Sequence, residues 1–260
     1  MKKVFLGLFV GLLGLSLTAC GAENNKSEAK EKNDEVTIYL IRHGKTFFNT
    51  TDQVQGFADS PLTDVGISQA EKLGEGLKDI KFDLAYSSEL GRQRNTAKLI
   101  LSKSEHKTPE LLEHDGFKEW NYGGYEGKTN GEMWEPIFEK NGLKLDENWS
   151  DYEKLVEKIG DAGIANAIAE NDPLKAAETY DEITTRGQAA MDQVIKDAKK
   201  KNAENVMIVS SGSMIPTILE LIVPEEYQGE VLDNCSVTIL KYKDNKYSLD
   251  VIGDTQYIEE

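Results

Sequence analysis

Hydrophobic and polar residues alternate along several short stretches of the chain, which is the pattern of β-strands. The first stretch has apolar residues at Val36, Ile38 and Leu40 and stops at Arg42. A second, "FDLAYSS", ends in two serines, and "NVMIVSS" is a continuous apolar run that is typical of a buried parallel strand. Two last strands are predicted in "NCSVTILKYK" and "KYSLDVI". Together these stretches supply the strands of one sheet.

Segments with helical periodicity separate the strands. Thr63 is a suitable N-cap for "TDVGISQAEKLGEGLKDI", and further helices are predicted in "GRQRNTAKLILSK" and "GSMIPTILELIV". Three more are expected at about 131–140, 152–170 and 180–200. Because strands and helices alternate, the sequence predicts an α/β fold, a three-layer α/β/α sandwich around a mostly parallel sheet. A helical insertion at about 128–180 is expected either to cap a pocket or to pack at the edge of the domain.

Length and charge narrow the class of protein. The chain has 260 residues, 39% hydrophobic and 29% charged, which fits one large globular domain at 36–260. Its formal net charge of −16 disfavours nucleic acid as a partner. Between Glu132 and Glu182 there are 14 acidic and 5 basic residues, a segment that we expect to form a solvated face.

The N-terminus has the features of an export signal. Lys2 and Lys3 precede the uncharged run "VFLGLFVGLLGLSL", which is shorter than the roughly 20 residues of a membrane-spanning helix. "LTAC" resembles the bacterial lipobox, which implies that residues 1–19 are removed and that Cys20 carries a lipid anchor. A plain signal peptide is the alternative. Residues 20–35 are then a flexible tether, and the expected location is the outer face of a bacterial cell membrane.

Three strand ends carry residues that suit an anion. They are "RHG" at 42–44, "SS" at 87–88 and "SSG" at 210–212. In α/β sheets ligands lie beyond the carboxyl ends of the strands, where helix N-termini also offer backbone N–H groups. Arg42 and Arg92 are candidates for a guanidinium fork on phosphate, with Ser211 and Gly212 as further phosphate ligands. No His, Asp and Cys cluster has metal-ligand spacing, so neither a metal nor a cofactor is expected.

Several motifs resemble those of the histidine phosphatase superfamily, in its phosphoglycerate-mutase-like branch. "RHGKTFFN" resembles R-H-G-x-T-x-x-N, and "SSELGRQRNTA" is similar to S-S-D-L-x-R-A-x-x-T-A. "EWNYGGYEG" resembles E-x-x-x-G-x-x-E-G, while "QGFADSPLTDVGISQA" and "LDNCSVTIL" resemble family segments at the corresponding places. The motifs follow one another in family order from Val36 to the C-terminus.

The resemblance implies a role for each of these residues. His43 would become phosphorylated, Arg92 would hold phosphate, and Glu119 would donate a proton to the leaving group. Arg42 would stabilise charge on the phosphoryl oxygens, and Asn49 would help to position the group. A neutral imidazole is a competent nucleophile, and the covalent intermediate divides one difficult hydrolysis into two steps.

Two carboxylates compete with Glu119 for the role of acid, and one expected residue is missing. Glu113 and Glu126 lie nearby in sequence, but the spacing to "YEG" favours Glu119. The family's buried strand ends in S-H-G, whereas this chain has Ser211 in place of the histidine. A serine cannot carry positive charge, and one lost oxyanion donor typically lowers the rate by about 10²–10³.

Three functions remain open. The first is a phosphomonoester hydrolase, slowed by Ser211, that acts on a phosphorylated small molecule through His43 and Glu119. The second is a degenerate surface protein that binds a phosphorylated or anionic ligand without turnover. The third is a phosphoglycerate mutase, which the predicted export disfavours because its sugar-acid substrates are found inside cells.

Overall fold

The computed structural model describes residues 35–258, so the predicted signal peptide, Cys20 and nearly all of the tether lie outside the described residues. Six strands form one sheet. They are β1 (Val36–Arg42), β2 (Leu84–Ser87), β3 (Leu111–Glu113), β4 (Asn205–Ser210), β5 (Val237–Lys243) and β6 (Lys246–Asp254). Their order is β3-β2-β4-β1-β5-β6. The first four strands are parallel, and β5 and β6 are antiparallel to their neighbours.

Helices connect most of the strands. They are α1 (Phe47–Thr50), α2 (Asp64–Gly76), α3 (Gly91–Leu101), α4 (Asn130–Lys140), α5 (Tyr152–Asn171), α6 (Tyr180–Lys201) and α7 (Met214–Ile222). Thr63, Thr129 and Thr179 are the N-caps of α2, α4 and α6, and the hydroxyl oxygen of each accepts a hydrogen bond from the amide three residues later. None of the helices within residues 35–258 is long and apolar enough to span a membrane.

Alternation along β1 divides the core into two layers. Val36, Ile38 and Leu40 pack in a hydrophobic cluster with residues of α4, α5, α6 and α7. Ile41 packs on the other face of the sheet with residues of α2 and α3, such as Leu73. Helices therefore cover both faces of the sheet, and the predicted three-layer α/β/α fold with a mostly parallel sheet is confirmed.

The sequence prediction missed one strand. β3 has only three residues, Leu111–Glu113, and pairs in parallel with β2 at the edge of the sheet. Three residues are too few to display the alternation by which a strand is recognised. The predicted helices at 131–140, 152–170 and 180–200 match α4, α5 and α6 closely. The first two of these helices form the insertion whose position bears on the site.

Candidate active site

The carboxyl ends of β1 and β4 lie side by side and open into a cavity. Arg42 pairs with Ser210 in the ladder, and the His43 amide donates a hydrogen bond of 3.0 Å to the Ser210 carbonyl oxygen. The cavity has a volume of about 600 Å³. Predicted site residues line it, namely Arg42, His43, Asn49, Glu119 and Gly212. The site therefore forms at the sheet edge where ligands of α/β proteins are expected.

His43 has the surroundings of a nucleophile. It is buried, and its Nδ1 lies 2.9 Å from the Gly44 carbonyl oxygen. A carbonyl only accepts hydrogen bonds, so Nδ1 carries the hydrogen and Nε2 keeps its lone pair. Burial, together with the positive charges of Arg92 and Arg42, lowers the pKa of His43 well below its ordinary value of 6.5. The imidazole is therefore neutral, with Nε2 free to attack.

Arg42 lines the cavity and has one buried donor without a partner in the described part of the chain. Its Nη1 donates a 2.5 Å hydrogen bond to the Leu232 carbonyl oxygen, whereas its Nε is buried and has no hydrogen-bond partner among the described residues. Gly212 packs against this guanidinium, since a Cβ atom there would lie 3.2 Å from Nε. Glycine at 212 thus gives Arg42 room to lie along the cavity wall. A buried N–H without a partner is costly, and an anion at this position removes the cost.

Arg92 does not form the fork that the sequence suggested. Its Nη1 donates to the Ala58 carbonyl oxygen and to Asp59 Oδ1, each at 3.0 Å. Its Nη2 donates to the carbonyl oxygens of Gln55 and Gly56, at 3.2 and 2.7 Å. Only Nε lacks a partner, and it is buried. Arg92 therefore ties down the loop at 55–59 and contributes its positive charge and at most one N–H group to the site.

Glu119 is placed as an acid. Its Oε1 accepts a hydrogen bond from the Trp120 amide and its Oε2 accepts one from the Ser213 amide, both at 2.9 Å. Burial raises the pKa of Glu119 above its ordinary value of 4.5, although these hydrogen bonds and the two arginines oppose the shift. Glu119 therefore keeps its proton at higher pH than an exposed glutamate does.

The two competing carboxylates have other partners. Glu113 is half exposed and forms a 2.5 Å ion pair with Arg94. Glu126 accepts hydrogen bonds from the backbone amides of Gly56, Phe57, Ala58 and Tyr122. Neither lines the cavity. The position of Glu119 beside His43 and Arg42 thus agrees with the choice made from the spacing of the motif.

Ser211 faces protein rather than the cavity. It is fully buried, and its Oγ accepts a hydrogen bond of 2.5 Å from Gln93 Nε2. The same amide donates to the Phe117 carbonyl oxygen at 3.1 Å, and its Oε1 accepts from Ser88 Oγ. Gln93 therefore fills the space beside Ser211. The sequence analysis pointed out Ser211 but not Gln93.

Asn49 lines the cavity, but its side chain also has a local role. Its Oδ1 accepts a 3.1 Å hydrogen bond from the Thr46 amide in the capping box of α1. Asn234, which the sequence analysis did not single out, donates from Nδ2 to the His43 carbonyl oxygen at 2.8 Å. Asn234 belongs to the "LDN" motif and fixes the backbone at His43.

The comparisons with known proteins agree with this geometry. The family model described as "Histidine phosphatase superfamily (branch 1)" matches residues 38–255. The chain belongs to the histidine phosphatase superfamily. It is 30% identical to a metal-independent phosphoserine phosphatase of Arabidopsis thaliana, over 89% of this chain and 87% of the relative. It is 28% identical to a broad-specificity phosphatase of Saccharomyces cerevisiae, over 88% of this chain and 90% of the relative.

A solved structure extends the family relationship to three dimensions. The chain is similar to the crystal structure of phosphoglycerate mutase from Bacillus anthracis, with a TM-score of 0.78 and 35% identity. The match covers 86% of this chain and 96% of the other. Relatives of this histidine phosphatase superfamily member therefore include both phosphatases and a mutase.

The sequence offered the insertion at about 128–180 as a cap over a pocket but did not single out the residues of the rest of the cavity wall. The insertion contributes aromatic side chains and one acidic side chain to it, namely Trp134, Trp149, Tyr152 and Asp161. From α7 and the segment that follows come Glu220, Tyr227 and Glu230. No single motif groups these residues, because they meet only through long-range packing. Within residues 35–258 no group of three His, Cys, Asp or Glu side chains is arranged to hold a metal ion.

Proposed function

We propose that this member of the histidine phosphatase superfamily hydrolyses phosphomonoesters through a phosphohistidine at His43. The observation that carries the proposal is the state of His43, a neutral ring whose Nδ1 hydrogen is bound to Gly44 and whose Nε2 is free. Arg42 and Glu119 share its cavity. A nucleophile, a cation and an acid thus lie together in one site.

The first step transfers the phosphoryl group to the protein. His43 Nε2 attacks phosphorus, the bond between phosphorus and the leaving oxygen breaks, and Glu119 gives its proton to that oxygen. Arg42 Nε donates to a phosphoryl oxygen, and Arg92 adds positive charge. The products are the free alcohol, N-phosphohistidine and the Glu119 carboxylate.

The second step returns the protein to its starting state. The Glu119 carboxylate takes a proton from water, the hydroxide oxygen bonds to phosphorus, and the bond from phosphorus to Nε2 breaks. Inorganic phosphate leaves, and Glu119 is again protonated. Each group ends the cycle as it began, which is required of a catalyst.

Ser211 limits the rate in this proposal. It takes the place of a histidine that would donate a charge-assisted hydrogen bond to the phosphoryl group, and its Oγ is directed to Gln93 instead. The same observation favours the second candidate function, a protein that binds a phosphorylated or anionic ligand without turning it over. The phosphatase-named relatives, which match most of the chain, support hydrolysis.

Location is part of the proposal and rests on the sequence alone. The "LTAC" motif supports cleavage before Cys20 and a lipid on its thiol. The domain would then act at the outer face of a bacterial cell membrane on a phosphorylated small molecule, with the membrane as its second partner.

Phosphate release from p-nitrophenyl phosphate, measured with a metal chelator present, tests this function. We expect turnover by the unaltered protein and none by His43→Ala. His106→Ala is the matched control, because His106 is exposed and hydrogen-bonds to the Asp79 carbonyl oxygen outside the cavity. Equal turnover by the His43→Ala protein would refute the proposed nucleophile.

A further inference from the structure

The cavity has a carboxyl pair away from its nucleophile. Gly160 has φ of 63° and breaks α5, and the next residue, Asp161, lines the cavity. Glu220 comes from α7 and lines the same cavity. Tyr180 Oη donates to Glu220 Oε2 at 2.7 Å. Neither Asp161 nor Glu220 has an ion pair with a described Lys or Arg.

Aromatic rings lie along the same wall. Trp134, Trp149 and Tyr152 pack edge to face, with ring centroids 5.4 to 6.0 Å apart, and all three line the cavity. Tyr227 lines it as well. A ring face attracts a cation, and the attraction is largest for Trp and for desolvated sites. Rings and carboxylates thus share a preference for a positively charged ligand group.

The charged groups of the cavity lining are mostly acidic. Arg42 is the only Lys or Arg among the described residues that line it. The acidic groups of the lining are Glu119, Asp161, Glu220 and Glu230.

We propose that the site takes phosphomonoesters of amino alcohols, with the phosphoryl group at His43 and Arg42 and the ammonium group against Asp161 and Glu220. The proposal rests on the proposed function for turnover, but it predicts ligand binding by itself. A substrate with a second anionic group, such as 3-phosphoglycerate, would place that group against carboxylates. This charge pattern also disfavours the mutase alternative.

The electrostatics of the pair support the same ligand. Burial, and then the charge of Glu220, raises the pKa of Asp161 to about 6. Two neighbouring carboxylates repel each other, and an ammonium group beside them reduces the repulsion. Glu220 and the phenol groups of Tyr152, Tyr180 and Tyr227 are the titratable neighbours of Asp161 in this part of the cavity.

Ligand binding to the His43→Ala protein tests the proposal, because that protein lacks the nucleophile. The probes are choline phosphate, ethanolamine phosphate, the uncharged isostere 3,3-dimethylbutyl phosphate and the anionic 3-phosphoglycerate. We expect both cationic probes to bind at least about tenfold more tightly than the isostere, because the carboxylates and the ring faces attract a positive charge. The 3-phosphoglycerate probe should bind most weakly. If choline phosphate binds more tightly than ethanolamine phosphate, the aromatic rings contribute more than the carboxylates to binding of the cationic group.

Variants that remove one negative charge show which residues cause the preference for cationic ligands. Asp161→Asn and Glu220→Gln, each made in the His43→Ala protein, should reduce the ratio of choline phosphate to isostere affinity about tenfold. Glu157→Gln, which removes an exposed charge from the same helix as Asp161, should leave that ratio unchanged. Equal affinity for choline phosphate and its isostere would overturn the proposal, even if a variant failed to fold.

The outcomes separate this proposal from the proposed function. Turnover of p-nitrophenyl phosphate with no preference for cationic probes would leave hydrolysis intact and refute the substrate class. Tight binding of choline phosphate without any phosphate release would refute hydrolysis and establish the cationic ligand.

Discussion

The double variant Gln93→Ala, Ser211→His tests the proposal that Ser211 limits the rate. Ser211→His alone forces an imidazole into space that the Gln93 side chain fills, and such overpacking costs about 1–3 kcal/mol. Gln93→Ala alone removes partners from Ser88 Oγ, the Phe117 carbonyl oxygen and Ser211 Oγ. At about 0.5–1.5 kcal/mol for each hydrogen bond, that variant loses about 2–4 kcal/mol of unfolding free energy.

The double variant should be better than the sum of its parts. The histidine at 211 then occupies the volume that is freed when the Gln93 side chain is shortened to alanine. The double-mutant cycle should therefore show about 1–3 kcal/mol of favourable coupling in the free energy of unfolding. A histidine that donates to the phosphoryl oxygens should raise kcat by about 10²–10³ over the unaltered protein.

Denaturant unfolding and phosphate release from one substrate, measured on all four proteins, check these values. Additive effects on the unfolding free energy, within about 0.5 kcal/mol, would show that Gln93 does not occupy the space of the histidine. A double variant that folds but is no faster than the unaltered protein would refute the claim that Ser211 limits the rate.

Three further predictions follow from the site and the sequence. Arg42→Lys should lower kcat about 10²–10³-fold, because lysine cannot supply the Nε donor; near-normal turnover would contradict the placement of Arg42. With an alkyl phosphate, kcat/KM should fall as pH rises through the raised pKa of Glu119, since protonated acid is lost while His43 is already neutral; a Glu119→Gln protein that keeps this fall would contradict the assignment. Cys20→Ala should move the protein from the membrane fraction to the soluble fraction on cell fractionation, and unchanged membrane attachment would argue against the lipid anchor.

The local pattern predicted the architecture well. Alternation and apolar runs located β1, β2, β4, β5 and β6, and a hydroxyl before a helical pattern located the N-cap at Thr63. His43 and Glu119 are separated by most of the first half of the chain, yet the motifs around them indicated both. These features could be predicted from the sequence because each depends on residues that are neighbours in sequence.

Other features depend on contacts between distant segments. Whether a guanidinium is free for phosphate depends on the loop that folds around it, and for Arg92 the loop at 55–59 takes four of its five N–H groups. Ser211 and Gln93 meet across 118 positions of sequence. The acidic and aromatic wall combines residues from α4, α5 and α7, so no single sequence motif predicts it.

The central claim is that phosphate is transferred to His43, and direct detection of the phosphorylated residue tests it. The protein is mixed with an excess of p-nitrophenyl phosphate, quenched in alkali because phosphohistidine is labile in acid, digested and analysed by mass spectrometry and ³¹P NMR. Because the Gly44 carbonyl oxygen binds Nδ1, we predict phosphorylation of His43 at Nε2 and none in the His43→Ala protein. Hydrolysis without phosphohistidine, or phosphate on Nδ1, would contradict the account.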